Sequence, residues 1–232
     1  MLALSPDDWE ALRLSVKVAL VATLGALPLA IAVATLLARA RFPGKTLVDA
    51  LVHLPLVMPP VVTGYLLLLA FGRRGPVGEW LESTFGLVLS FRWTGAALAC
   101  AVMGFPLMVR AIRLSLEAVD VRLAAAAATL GAPPLWSYAT VTLPLALPGV
   151  LAGAVLCFAK ALGEFGATIT FVSSIPGETR TLPSAIYAAT QTPGGDASAL
   201  RLTLVAVAVS VAALALSEWL ARRVRRAVGA GA

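Results

Sequence analysis

Long apolar runs separated by short polar clusters dominate the chain. Five of them approach the roughly 20 mostly apolar residues that a membrane-crossing helix needs. They cover about 14–38, 48–71, 94–109, 145–162 and 202–220. The third is the shortest and is expected to extend through Arg110 toward Leu116, its basic side chains reaching back to the surface. Prolines interrupt the pattern where a simple anchor would have none. Pro55, Pro59 and Pro60 fall in "LPLVMPPVVTGY", Pro106 in the third run, and Pro144 and Pro148 at the start of the fourth. A proline removes a backbone donor and crowds the preceding turn, so helices are expected to kink, break or start afresh there. Irregular backbone at membrane depth persists only when packed in protein or lining a wet cavity. The pattern therefore predicts an all-α membrane protein of about five spanning helices, one domain over 1–232, built to move or to form a pathway.

A long charge-bearing interval between the third and fourth runs contains "LAAAAATLGAPPLWSYATVTLP", Leu123 to Pro144. Alanine is the best helix former, and Gly131 is the residue that most easily takes a left-handed helix stop. Pro134 suits the first turn of a second, short helix carrying Leu135, Trp136, Tyr138 and Ala139. The expected unit is helix, sharp turn, short helix, ended by Pro144. Its surface is suited to holding a partner or to packing on its own bundle.

Composition agrees with a membrane location. Of 232 residues, 59% are hydrophobic and 13% charged, against about 25% charged in soluble domains. The net charge of +6 comes from groups between the runs, so it reads as a topology signal rather than a nucleic-acid surface. Arg39, Arg41 and Lys45 follow the first run, Arg110, Arg113 and Arg122 the third, and Arg222, Arg223, Arg225 and Arg226 the fifth. These compact groups on alternate loops place the C-terminus in the cytoplasm and the N-terminus outside. The first residues, "MLALSPDDWE", are acidic where a cleavable signal would be basic, so the first run is expected to remain in the mature chain.

Few groups suggest chemistry. Cys100 and Cys157 lie inside apolar runs as small buried hydrophobes. His53 stands alone, without the ligand spacing of a metal site. No phosphate-binding glycine loop, nucleophile elbow or zinc-helix motif is present, so the chain is expected to have no catalytic residues and no bound cofactor or metal. Lys160 and Glu164 stand four apart in the fourth run, where a shared helix face would let them pair. Two roles remain open for them: setting helix depth near the outer surface, or contact of Lys160 with a transported anion. The turn-rich stretch after the fourth run holds Arg180, which would draw an anion from outside or sit in an ordinary solvated loop.

The interval at Leu123–Pro144 resembles a motif of the permease subunits of ABC importers: E-A-A, three residues, Gly, nine residues, I-x-L-P. Here Ala125-Ala126-Ala127 is followed by three residues, Gly131, nine residues and Val141-Thr142-Leu143-Pro144. Ala125 replaces the usual Glu. Three further blocks resemble the molybdate branch of that family, so that the likeness covers about Asp7 to Arg222. They are "FPGKTLVDALVHLPLVMPPVVTGYLLLLAFGRRGPVGEWL", "MGFPLMVRAIRLSLEAVDVRL" and "GEFGATITFVSSIPGETRTLPSAIYAATQTPGG".

The resemblance implies a type I importer permease in a bacterial inner membrane, working as a homodimer. It further implies two cytoplasmic ATPase subunits, which alone would bind ATP and Mg, and an extracytoplasmic oxyanion-binding protein. The cargo would be molybdate, with tungstate as a second candidate and sulfate or thiosulfate as the alternative. The ATPase would dock on the 117–144 segment through Ala125, Ala126, Ala127, Gly131, Leu143 and Pro144, to which the local reading adds Trp136 and Tyr138. A secondary transporter is disfavoured by the lack of a convincing internal repeat and of midplane charges. A membrane scaffold would need neither the broken helices nor the Gly131 spacing.

Overall fold

A computed structural model describes residues 5–229, with side chains in the last helix through 216 and at Trp219. The elements are α1 (Pro6–Arg39), α2 (Lys45–Val57), α3 (Pro60–Phe71), α4 (Pro76–Phe85), α5 (Trp93–Ala118), α6 (Val121–Thr129) and α7 (Pro134–Ser137), then a π-helical turn (Tyr138–Thr142). They continue with α8 (Leu143–Leu162), α9 (Gly166–Val172), α10 (Leu182–Thr190) and α11 (Asp196–Gly229). No strand occurs among the described residues.

Among the described residues, four helical stretches are long and apolar enough to cross a membrane: Pro6–Arg39, Trp93–Ala118, Pro134–Leu162 and Asp196–Leu216. The second expected run is not one straight span. It breaks after Val57, and α2 and α3 meet at 113°, as two adjacent prolines require. The pair nevertheless connects the two ends of the bundle. Asp49 of α2 pairs with Arg113 near the end of α5 at 3.1 Å, whereas the end of α3 shares a cavity with Arg92 at the start of α5.

The core is three helices deep. Lys17 of α1 lies 3.6 Å above the Trp93 ring that opens α5, and Arg39 donates to the Leu116 carbonyl at 3.1 Å, so α1 and α5 run parallel. Helix α8 runs the other way. Ser115 donates to the Ala146 carbonyl at 3.2 Å, and the Cys100 thiol contacts the Ala161 carbonyl at 3.5 Å. Buried Ala11, Ser15, Ala19, Ala22, Ala26, Ala30 and Ala34 make a small-residue stripe along α1. Without a hydrophobic drive between helices in lipid, such stripes hold helices by close backbone approach. The α5–α8 seam works likewise: a Cβ added at Gly104 would come within 2.5 Å of the Cys157 sulfur.

Several expected boundaries shift. Helix α1 starts at Pro6, eight residues before the apolar run, because Ser5 and Asp8 close a capping box that satisfies the first N–H groups. Asp8, 5% exposed, also receives Arg201 of α11 at 2.7 Å. Pro106 does not break its helix, since α5 is continuous through it. Pro144 does not end the short helix, and Pro148 does not open the fourth run. α7, the π turn and α8 form one rod from Pro134 to Leu162. The π turn bonds Leu143 N–H to the Tyr138 carbonyl, five residues back. It resets the ladder just before Pro144, which has no N–H to give. The expected long outer loop contains α10, whose first N–H, from Leu182, donates to the buried Ser15 hydroxyl at 2.7 Å. The cluster Arg222, Arg223, Arg225 and Arg226 lies outside the residues whose side chains are described.

Candidate coupling and pathway sites

At one end of the bundle, beside the last turns of α1 and α5, the segment after α5 forms a compact corner. Asp120 caps α6, accepting from Arg122 N–H at 2.9 Å. The helix ends in a Schellman motif: Ala132 N–H donates to the Ala127 carbonyl at 3.1 Å and Gly131 N–H to the Ala128 carbonyl at 3.0 Å. Gly131 has φ +85, and nothing lies within 4 Å of where its Cβ would be. Glycine is needed there for backbone conformation, not for room. Pro134 then starts α7 at its first position, as the local reading expects.

The side chains divide into two faces. Ala125, Ala126 and Pro144 are exposed, and Ala127 and Leu143 are half-buried. Leu130, Leu135 and Trp136 are exposed at 88%, 80% and 64%, an apolar patch with no cover of its own. Tyr138 points away from this patch. Its hydroxyl meets Thr35 of α1 at 2.6 Å, so it anchors the corner to the bundle instead of widening the open surface. Thr35 and Arg39 are partners that sequence reasoning does not find. Each is an ordinary polar residue near a helix end, and only contacts across 103 and 77 positions reveal it.

At the other end, the Lys160–Glu164 pair exists, at 2.7 Å, but not along one helical face. Helix α8 stops at Leu162 and Gly163 caps it, so the pair spans the joint into α9. Glu164 is 2% exposed. Its second oxygen accepts from Ala167 N–H in the first turn of α9 at 2.9 Å. A carboxylate fits there because the helix start presents free N–H groups and positive potential, while Lys160 supplies the counter-charge that burial demands.

This joint meets the other broken helix pair. A Cβ on Gly64 of α3 would come within 2.5 Å of the Ala167 carbonyl, and one on Gly166 within 2.8 Å of the Pro60 ring. The two chain breaks, at Pro59–Pro60 and Gly163–Phe165, are therefore stacked. The Arg180 guanidinium lies elsewhere, in the turn after α9. Its Nε is buried and has no hydrogen-bond partner among the described residues. Thr179, 1% exposed, pins that turn, accepting from Ile175 N–H at 2.9 Å. His53 bonds back to the Asp49 carbonyl at 2.9 Å.

A multi-pass helical bundle with broken helices inside it and an apolar corner exposed at one end suits a membrane transport subunit. The chain belongs to the family of inner membrane components of binding-protein-dependent transport systems, whose model matches residues 26–226. It is 57% identical over 226 residues, 97% of its length and 99% of the relative's, to the molybdenum transport system permease protein ModB of Escherichia coli K12. The sulfate transport system permease protein CysT of the same organism is more distant, at 34% identity over 84% of this chain and 70% of the relative. Among solved structures, the chain superposes with TM-score 0.75 on a bacterial alginate ABC transporter in complex with its alginate-loaded periplasmic protein, covering 95% of this chain and 80% of that one. At 15% sequence identity, that match supports the fold alone.

Proposed function

We propose that this chain is the molybdate-translocating permease subunit of an ATP-driven importer. In this reading it works as a homodimer, with two ATPase subunits on the cytoplasmic side and an oxyanion-binding protein outside. The N-terminus faces outward and the C-terminus inward. The observation that carries the reading is the corner at Gly131. It presents Leu130, Leu135 and Trp136 outward while Tyr138 ties it to α1, and its rod continues unbroken into α8.

ATP and Mg belong to the partner. When the partner closes, the corner is displaced as a unit. Because α7, the π turn and α8 form one rod, the displacement reaches the α8–α9 joint, where the two chain breaks touch. A partner can shift a two-state bundle only by its differential affinity for the two states, and a rigid lever lets that difference be felt across the membrane. Lys160, at the α8–α9 joint, and Arg180, in the turn after α9, are the cations we assign to anion passage. Molybdate is preferred over sulfate as cargo because the molybdenum relative is far more similar than the sulfate one.

The test is uptake into proteoliposomes that hold this chain with its ATPase and binding protein. Vanadate-sensitive accumulation of labelled molybdate is expected, competed by tungstate and weakly by sulfate. Accumulation of sulfate in preference to molybdate would overturn the substrate reading.

A further inference from the structure

At the end of the bundle opposite the coupling corner, three arginines converge on one cavity. Helix α3 ends at Gly72 and α4 begins after Gly75, whose N–H donates to the Gly72 carbonyl at 2.8 Å. This tight corner sets Arg73 and Arg74 side by side. The facing wall is Ser90-Phe91-Arg92, the approach to α5. Together these segments line an open cavity of about 640 Å³.

Phe91 has φ +59, a left-handed conformation that costs a non-glycine residue about 1–2 kcal/mol. It turns the chain so that Arg92 sits at the cavity wall as the residue preceding the first turn of α5. No side chain caps that helix, so its positive end lies at the same wall.

The charge there is unbalanced. Among the described residues, no acidic one lines the cavity. Arg73 has Glu82 at 3.6 Å, with side chains 68% and 41% exposed, a pair too solvated to neutralise it. The Arg74 and Arg92 guanidinium groups have no ionic or hydrogen-bond partner among the described residues. The guanidinium fork suits tetrahedral oxyanions, which it binds through paired N–H groups. Exposed aromatics stand at the cavity wall and on the adjoining α4. Trp80 and Phe85 pack edge to face at 5.5 Å, and both are more than half exposed, as is Phe91. Such rings gather at the headgroup level of a membrane.

We propose that Arg73, Arg74 and Arg92 form an oxyanion-binding site at the outer membrane interface, taking a phosphate-type tetrahedral group. Two sources offer that chemistry: the headgroup phosphate of an anionic phospholipid, and a free tetrahedral oxyanion outside the membrane. The site rests on the transmembrane arrangement, with the α5 start outside, and not on the identity of the cargo.

The test compares the full chain with Arg74→Gln/Arg92→Gln, and with Arg110→Gln at the opposite end as control. One arm counts phosphatidylglycerol retained after exchange from mixed phosphatidylglycerol–phosphatidylcholine nanodiscs. The other titrates inorganic phosphate and molybdate in nanodiscs of phosphatidylcholine alone. A lipid source predicts about tenfold less phosphatidylglycerol retained by the double variant. A free-anion source predicts about tenfold weaker phosphate and molybdate binding. Arg92→Lys, which keeps the charge but loses the fork, is expected to fall between parent and double variant in whichever arm responds. Equal retention and equal anion binding in parent and double variant, with both folded by thermal melting, would overturn the proposal.

Discussion

The two ends of α8 are built on opposite plans. At the Lys160–Glu164 joint every strong group is answered within the chain: the carboxylate is buried, salt-bridged and bonded to the first turn of α9. At the Gly131 corner the turn backbone is hydrogen-bonded but the side chains are not covered, and Leu130, Leu135 and Trp136 stand exposed. A satisfied polar joint holds a shape, and an uncovered apolar face is suited to a partner. In the proposed reading, the comparison separates the Glu164 carboxylate, which holds the joint together, from the apolar corner residues that would seat the ATPase.

The largest expected effect is at the joint. Glu164→Leu strands Lys160 and uncaps α9. Breaking a buried pair costs about 3–5 kcal/mol, and the part-exposed lysine, with its side chain 31% accessible, puts the loss toward the lower figure. Thermal unfolding in detergent should fall by many degrees, and an unchanged melting temperature would break the comparison from this side.

Next in size is Trp136→Ala. It should leave thermal stability within about 0.5 kcal/mol, as a surface change does, yet weaken ATPase binding by about 2 kcal/mol, the scale of an interface hot spot. Co-purification and binding measured at fixed ATPase concentration read the two effects separately. Gly131→Ala should cost about 1 kcal/mol, because φ +85 disfavours any side chain there. The open space around the position means that Gly131→Asn should recover part of the loss, since Asn tolerates the left-handed region. The smallest effect is at Ala125→Glu, which restores the residue usual in the family motif at an exposed site. Transport should stay within about twofold, and its loss would mean that this docking surface has been rebuilt.

Much of this arrangement is legible in the residue pattern. The Gly131 turn follows from an alanine run meeting a glycine and two prolines, and the break in the second span follows from Pro59-Pro60. Local chemistry settles both. Local chemistry misleads at Pro106 and Pro144, because a proline breaks a helix only when nothing else absorbs it. Pro106 is buried in a packed seam, and the π turn absorbs Pro144. The capping box at the start of α1 is local, but the Arg201 that also holds its Asp8 lies 193 positions away. The contact of the two broken pairs through Gly64 and Gly166, and the Tyr138–Thr35 anchor, are likewise long-range facts without a periodic trace. The alanine stripe on α1 is a signal present in the sequence, but a search for apolar runs passes over small residues that mark close approach.

The central claim is that the Gly131 corner is where the ATPase seats. The most direct measurement is site-specific cross-linking in native membranes with the partners co-expressed, using Trp136→Cys against Tyr65→Cys, an exposed position on α3. The natural thiols at Cys100 and Cys157 are buried and should give little background. The account predicts a cross-link from position 136 to the ATPase whose yield changes when ATP and vanadate are added, and none from position 65. Cross-linking from position 65 but not from 136, or none from 136 in a complex that still transports, would contradict it.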